Sequence, residues 1–300
     1  MIDYDPHRWW RYFHYVRGTM VREILARVMV CVLWAAIATA FHFYVRPVVI
    51  PTTVHTLAGI SLSLLLVFRT NTSYDRFWEG RKLWGGIVNE TRNLARAAEV
   101  FLRAEPALYA ALVRWTAVFP FSAAASLRGA KGLGPVAASL PREQVESVLG
   151  AQHVPLAVAQ RMTGVLDEGR RRGLYPEYVQ IQLDQNVQLL IDYLGGCERI
   201  HKTPVPFAYV MHLRRALILY CYTLPFALVD PLGWHTVVAT FIVAYIFFGI
   251  EEIGVEIEDP FGQDDNDLPL DRICETIRAN LLALLPPTPE APPGATGPSP

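Results

Sequence analysis

Four apolar runs decide what this chain can fold into. Residues 24–45, 48–68, 207–229 and 234–250 each approach the roughly 20 residues that a helix needs to cross about 30 Å of hydrocarbon. Charged residues make up only 18% of the chain and hydrophobic ones 52%, whereas an average soluble domain is about 25% charged. That balance excludes disorder for the bulk of the chain and fits one that uses lipid as part of its solvent. The first 23 residues are polar and aromatic with no early apolar core, so no secretory signal peptide is expected.

The runs differ in character. The second carries Thr52, Thr53, His55, Thr56, Ser61 and Ser63, more polar groups than a lipid-facing helix needs. Such groups usually face a bundle interior or a cavity. The third begins with Arg214-Arg215, and Asp230-Pro231-Leu232-Gly233 reads as the turn into the fourth. Arg and Lys set orientation. They crowd the arm before the first run (Arg8, Arg11, Arg17, Arg22, Arg27) and the stretch after the second (Arg69, Arg76, Arg81, Lys82), while the turn at 230–233 has none. The expected topology is four spans with both termini in the cytoplasm, in the inner membrane.

The chain divides accordingly into an N-terminal arm at 1–23, spans one and two within 24–68, a cytosolic domain at 69–206, spans three and four within 207–250, an acidic segment and C-terminal helix at 251–285, and a Pro-rich tail at 286–300. Residues 95–102 and 186–194 have helical apolar spacing, Gly129 to Pro135 reads as a loop, and Gly195-Gly196 and Pro204 to Pro206 read as breaks. The fold class is all-α. A net charge of −1 leaves no global basic field for nucleic acid. Cys31, Cys197, Cys221 and Cys274 form no C-x-x-C pair and read as small buried hydrophobes.

Three stretches could carry chemistry. Ile60, Leu64 and Phe68 share one helical stripe, because each four-residue step drifts only about 40°. The stripe is either an ordinary packing face or, in a ring of subunits, a constriction that blocks ions by dewetting. Residues 69–84 mix Tyr74, Phe77, Trp78 and Trp84 with bases and acids, as an interfacial belt does. Between Glu251 and Asp271 lie nine of the chain's 28 acids. They could form a solvated turn, a vestibule that attracts cations, or oxygen ligands for a hard cation such as Ca²⁺, although no EF-hand frame is present. Metalloprotease, nucleophile-elbow, phosphate-loop and dinucleotide signatures are all absent, so an enzyme is not expected. His42 and His55 read as packing residues.

The stretch Phe68-Arg-Thr-Asn-Thr-Ser-Tyr-Asp-Arg-Phe-Trp-Glu-Gly-Arg-Lys-Leu-Trp84 resembles the signature after the second transmembrane helix of bacterial bestrophins. Residues Ile257 to Leu270 resemble that family's acidic motif, and Cys197 to Phe207 resemble its approach to the third span. The resemblance covers about residues 5–280. It implies a homopentameric ion channel in the lipid bilayer, with a central pore necked by Ile60, Leu64 and Phe68. It also implies a second, cytosolic constriction at Tyr178 or Ile181. In eukaryotic members the acidic motif helps to clasp Ca²⁺. The matching side chains here are Asp259, Asp264 and Asp267, but Asp259 stands where the clasp has an Asn, and no cofactor is expected to be required. The expected activity is passive conduction of small monovalent ions, cations favoured over anions, with a chloride or anion channel as the alternative. A secondary transporter, supported only by His42, His55 and Arg214-Arg215, and a membrane-anchored interaction module are the rival classes.

Overall fold

The structure, a computed structural model, describes residue 7 and residues 18–286. The Pro-rich tail from 287 onward, and the arm residues Arg8, Arg11 and Arg17, lie outside the described residues. The described residues form two compact units, one within Met1–Leu83 and Gly196–Pro269, the other within Trp84–Gly195 and Leu270–Pro300.

The first unit holds the spans. Helix α1 covers Val21–Tyr44 and ends ahead of Pro47, as the residues before a proline favour. Helix α2, Thr52–Phe101, starts on Pro51, whose carbonyl accepts from the Val54 and His55 N–H groups. Proline suits that position because it has no N–H to leave unpaired. Helices α7 (Phe207–Leu232) and α8 (Thr236–Glu256) complete the set. Among the described residues four stretches are long and apolar enough to cross a membrane: α1, α2, the α7–α8 stretch, and one in the second unit. The α7–α8 stretch is split by a 3-10 turn at Gly233–His235. The stretch in the second unit, Pro106–Leu127, is two-thirds buried inside the protein, whereas the others are about one-third buried. It is apolar because it forms a core, not because it faces lipid.

α2 packs by a coiled-coil-like seam. His55, Gly59, Leu62, Leu66, Arg69, Ser73 and Gly80 are buried in turn, a spacing close to 3.5 residues. At Gly59 an added Cβ would lie 2.7 Å from Tyr220 Oη, so glycine admits the tyrosine ring. α1 buries Ala35, Ala38 and Thr39, and its neighbour α8 buries Thr236, Thr240 and Ala244. Small residues at such seams let membrane helices approach closely.

Several boundaries depart from the sequence reading. The helix of the second apolar run does not stop at Phe68 but continues without a break to Phe101. The third helix runs through Asp230 and Pro231 to Leu232, and the turn falls at Gly233, whose φ of 53° is left-handed. Gly195-Gly196 is not a break, since α6 covers Glu177–Lys202. A Cβ at Gly196 would lie 2.9 Å from Leu83, so this glycine serves a close helix contact. The polar groups of the second run do not require water. Thr56, Ser61 and Ser63 donate to the carbonyls four residues back, and His55 Nε2 lies 3.2 Å from both the Tyr220 carbonyl and Thr223 Oγ1.

In the second unit α3 (Pro106–Leu127) is the buried centre, contacted by α5 (Val154–Arg171) and α9 (Leu270–Leu282). A short α4, Arg142–Gly150, lies between α3 and α5 in the chain. Burial pushes the Cys197 and Cys274 thiols up to about 12, which suits inert core residues.

Candidate functional site

The apolar stripe lies on an exposed face of α2, beside the exposed Val54, Leu57 and Val67. Ile60, Leu64 and Phe68 are 63, 55 and 55% exposed, while Leu62 and Leu66, roughly 160° around the helix, are buried. One face of α2 is therefore committed to packing and the other carries bare hydrocarbon. Past Phe68 the exposed face becomes polar. Asn71, Thr72 and Asp75 are all exposed. Asp75 lies seven residues beyond Phe68, two helical turns and about 10 Å along the axis, and returns to the same stripe within about 20°. No partner for its carboxylate occurs among the described residues.

The arginines beside the stripe are turned away from it. Arg69 is buried, donating to Glu258 Oε2 at 2.6 Å and to Ser73 Oγ at 3.2 Å. Arg76 donates to the carbonyls of Glu258, Thr203 and Ile200 at 3.0, 2.6 and 2.7 Å. The Val205 N–H donates to Glu258 Oε1 at 2.8 Å. Glu258 thus ties α2 to the Thr203–Val205 loop and to the segment after α8. Burial pushes its carboxyl up, but the Arg69 guanidinium, the Val205 N–H and the Arg76 charge together hold it below the usual carboxylate range. The Tyr209 hydroxyl adds a bond to the Leu65 carbonyl at 2.9 Å, and Glu79 pairs with Arg199. The three stretches that carry the family resemblance, 68–84, 197–207 and 257–270, converge at this one carboxylate. Sequence reasoning does not single out Glu258. Its only signal there is an acid in one stretch matched by arginines in another.

The three candidate cation ligands do not converge. Asp259 Oδ2 lies 2.9 Å from His201 Nδ1, and its Oδ1 takes the Phe261 N–H. Asp267 is buried, and its Oδ2 accepts from the Asp264 N–H at 2.7 Å. Asp264 lines a separate cavity of about 300 Å³ with Glu23, Glu252 and Glu256. Among the described residues no three His, Cys, Asp or Glu side chains are arranged to hold a metal. Burial, with the charges of Asp264, Asp259 and Glu256, pushes the Asp267 carboxyl up to about 6, and the Asp264 N–H offsets this only in part. Its Oδ1 has no partner among the described residues.

Tyr178 and Ile181 lie in the first turns of α6 and are 72 and 66% exposed. Three residues apart, they share a face. Both are available to line a passage.

Comparison with known proteins gives one consistent answer. A profile of bacterial and fungal bestrophin proteins matches residues 1–283. The voltage-dependent anion channel-forming protein of Nostoc sp. (strain PCC 7120) is 40% identical over 278 residues, covering 91% of this chain and 90% of its own. Its namesake in Synechocystis sp. is also 40% identical, covering 90% of each chain. A crystal structure of a bacterial bestrophin homologue from Klebsiella pneumoniae aligns with a TM-score of 0.82 at 32% identity, over 87% of this chain and 98% of that one.

Proposed function

We propose that this chain, which belongs to the bacterial and fungal bestrophin family, conducts small monovalent ions passively through a pore that α2 lines in a ring of five copies. One observation carries the reading: the bare stripe of Ile60, Leu64 and Phe68, opposite a fully packed seam. Hydrocarbon exposed along a membrane-crossing helix, repeated around a ring, forms a dry constriction that opposes ion passage until it widens or wets. Tyr178 or Ile181 forms a second narrow point. Conduction requires no bound cofactor, so chelating divalent cations leaves the current unchanged. The inner membrane is the expected location, with both termini in the cytoplasm, because Arg and Lys crowd the matching ends of the spans.

An apolar neck has no charge with which to select an ion. Selection falls to the first charges that an ion meets beyond it. Arg69 and Arg76 are occupied by Glu258 and by carbonyls, and Asp75 is the first charged side chain on the stripe beyond Phe68. Five such carboxylates around one axis attract cations, so we favour cation conduction. The relatives, which are called voltage-dependent anion channel-forming proteins, favour the second reading, an anion channel. The reversal potential of the purified protein in a planar bilayer under a KCl gradient separates the two. Reversal near the potassium equilibrium potential, moved toward zero by Asp75→Asn, supports the first. Reversal near the chloride potential, unmoved by that substitution, overturns it and keeps the channel. Flux that saturates with substrate and shows no discrete current overturns the channel itself.

A further inference from the structure

A second group of charges lies apart from the stripe, where the apolar parts of α1, α7 and α8 end. Glu251, the first acid after the apolar run of α8, is buried with only 3% of its side chain exposed. Arg214 of α7 donates to its Oε1 through Nε at 2.9 Å. Arg27 of α1 lies 3.6 Å from its Oε2 and donates to Glu252 Oε2 at 2.6 Å. Two carboxylates therefore hold two guanidinium groups from different helices in one place. Neither arginine is used up. A guanidinium carries five N–H donors, and each of these commits one nitrogen while 46 and 45% of its side chain stays exposed.

The same place contains a cavity of about 190 Å³ lined by Arg27, Arg214, Glu251, Leu217, Ile218 and Phe248. Its wall is part charged, from Arg27, Arg214 and Glu251, and part hydrocarbon, from Leu217, Ile218 and Phe248. Free N–H donors at the edge of a bilayer need an acceptor, and planar guanidinium forks match phosphate oxygens. The apolar wall suits the acyl chains that a phospholipid carries beyond its phosphate. Basic pockets between membrane helices recognise anionic headgroups in this way.

We infer that Arg27 and Arg214, held by Glu251, bind the phosphate of an anionic phospholipid whose acyl chain lies along Leu217, Ile218 and Phe248. Phosphate is the recognised group, and the lipid rather than the free ion is the occupant. The inference rests on the membrane placement of these helices and not on which ion the pore passes.

The test is native mass spectrometry of the full-length protein after reconstitution in phosphatidylglycerol vesicles and transfer to detergent, counting retained lipid per assembly. Replacing Arg27 and Arg214 together by Gln lowers retention at least about tenfold, since each removes charge-assisted hydrogen bonds to the phosphate. An Arg142→Gln control, exposed and in the other unit, leaves retention unchanged. Replacing both arginines by Lys keeps the charge and restores part of the loss. Ile218→Trp fills the apolar part, and it lowers lipid retention without touching either arginine, so the proposal stays testable if the Gln pair fails to assemble. Unchanged retention in the Gln pair or in Ile218→Trp overturns the proposal. So does equal retention of a diglucosyl diacylglycerol, which has no phosphate. Full displacement of the lipid by millimolar inorganic phosphate makes this a free-phosphate site and overturns the choice of occupant.

Discussion

α2 carries two regions of opposite design within a few turns. Around Ile60, Leu64 and Phe68 its side chains are largely bare within the chain. Around Arg69 and Arg76 its guanidinium groups are bound by other segments, through Glu258 and the carbonyls of Glu258, Thr203 and Ile200. The first region is cheap to alter and free to face a passage. The second is expensive to alter and fixes where the first one points. A bare hydrophobic stripe is informative only beside such an anchor, because a loosely held helix would turn its hydrocarbon inward and bury it.

The sharpest way to break this contrast is at Glu258. Glu258→Gln removes the charge that neutralises buried Arg69. Stranding one partner of a buried pair costs about 3–5 kcal/mol, so we expect a large fall in thermal midpoint and poor recovery of assembled protein. Adding Arg69→Met recovers much of that loss, since the unpaired charge goes with it. If Glu258→Gln unfolds at the wild-type temperature, the junction does not anchor α2. The opposite outcome is expected of the triple replacement of Ile60, Leu64 and Phe68 by Ala. It raises single-channel current several-fold while leaving the midpoint nearly unchanged, because these side chains are mostly exposed within the chain and exposed sites contribute within about 0.5 kcal/mol each.

The stripe is legible in the sequence and the anchor is not, for a physical reason. Periodicity is a local property: Ile60, Leu64 and Phe68 report their shared face from spacing alone. Arg69, Arg76 and Glu258 are joined across more than 180 residues, and spacing contains no trace of that. Composition misleads where chemistry is satisfied locally. Thr56, Ser61 and Ser63 suggest a wet face, yet each hydroxyl is bound one turn back in its own helix. Gly195-Gly196 suggests a break, yet Gly196 admits the side chain of Leu83 inside a continuous helix. Acid density suggests a metal clasp, but Asp259 meets His201 while Asp267 accepts from the Asp264 backbone N–H, contacts that spacing does not reveal.

A smaller effect is expected at the seam behind the stripe. The Tyr220 ring, which a Cβ at Gly59 would strike, is flanked by His55 with ring centres 4.1 Å apart and by Phe247 at 5.4 Å. The ring has little room to yield. Gly59→Ala therefore costs about 1–2 kcal/mol by overpacking, after the helix-propensity gain of about 1 kcal/mol is counted. A rise in thermal midpoint instead would mean that the seam is loose at this level.

The smallest effect separates the two ends of the acidic segment. Glu258 and Asp267 lie nine residues apart, both substantially buried, yet they titrate in opposite directions. Glu258 sits beside Arg69, whereas Asp267 sits among other acids and is pushed up to about 6. A folded-state value above the unfolded one means that the folded loop prefers the proton. The contribution of Asp267 is therefore fully present below its ordinary value near 3.8 and is lost as pH rises through about 6. Glu258 runs the other way: its contribution is present above the ordinary carboxylate range and is lost as pH falls below it. Amide hydrogen exchange across 259–268, compared after correction for the intrinsic pH dependence of exchange, should show weaker protection at pH 7.5 than at pH 5. Asp267→Asn, which cannot ionise, should remove that difference. If the loop of Asp267→Asn still loosens between pH 5 and 7.5, the change belongs to a neighbouring acid, and the buried carboxylate is not what distinguishes this end of the segment from the arginine-anchored one.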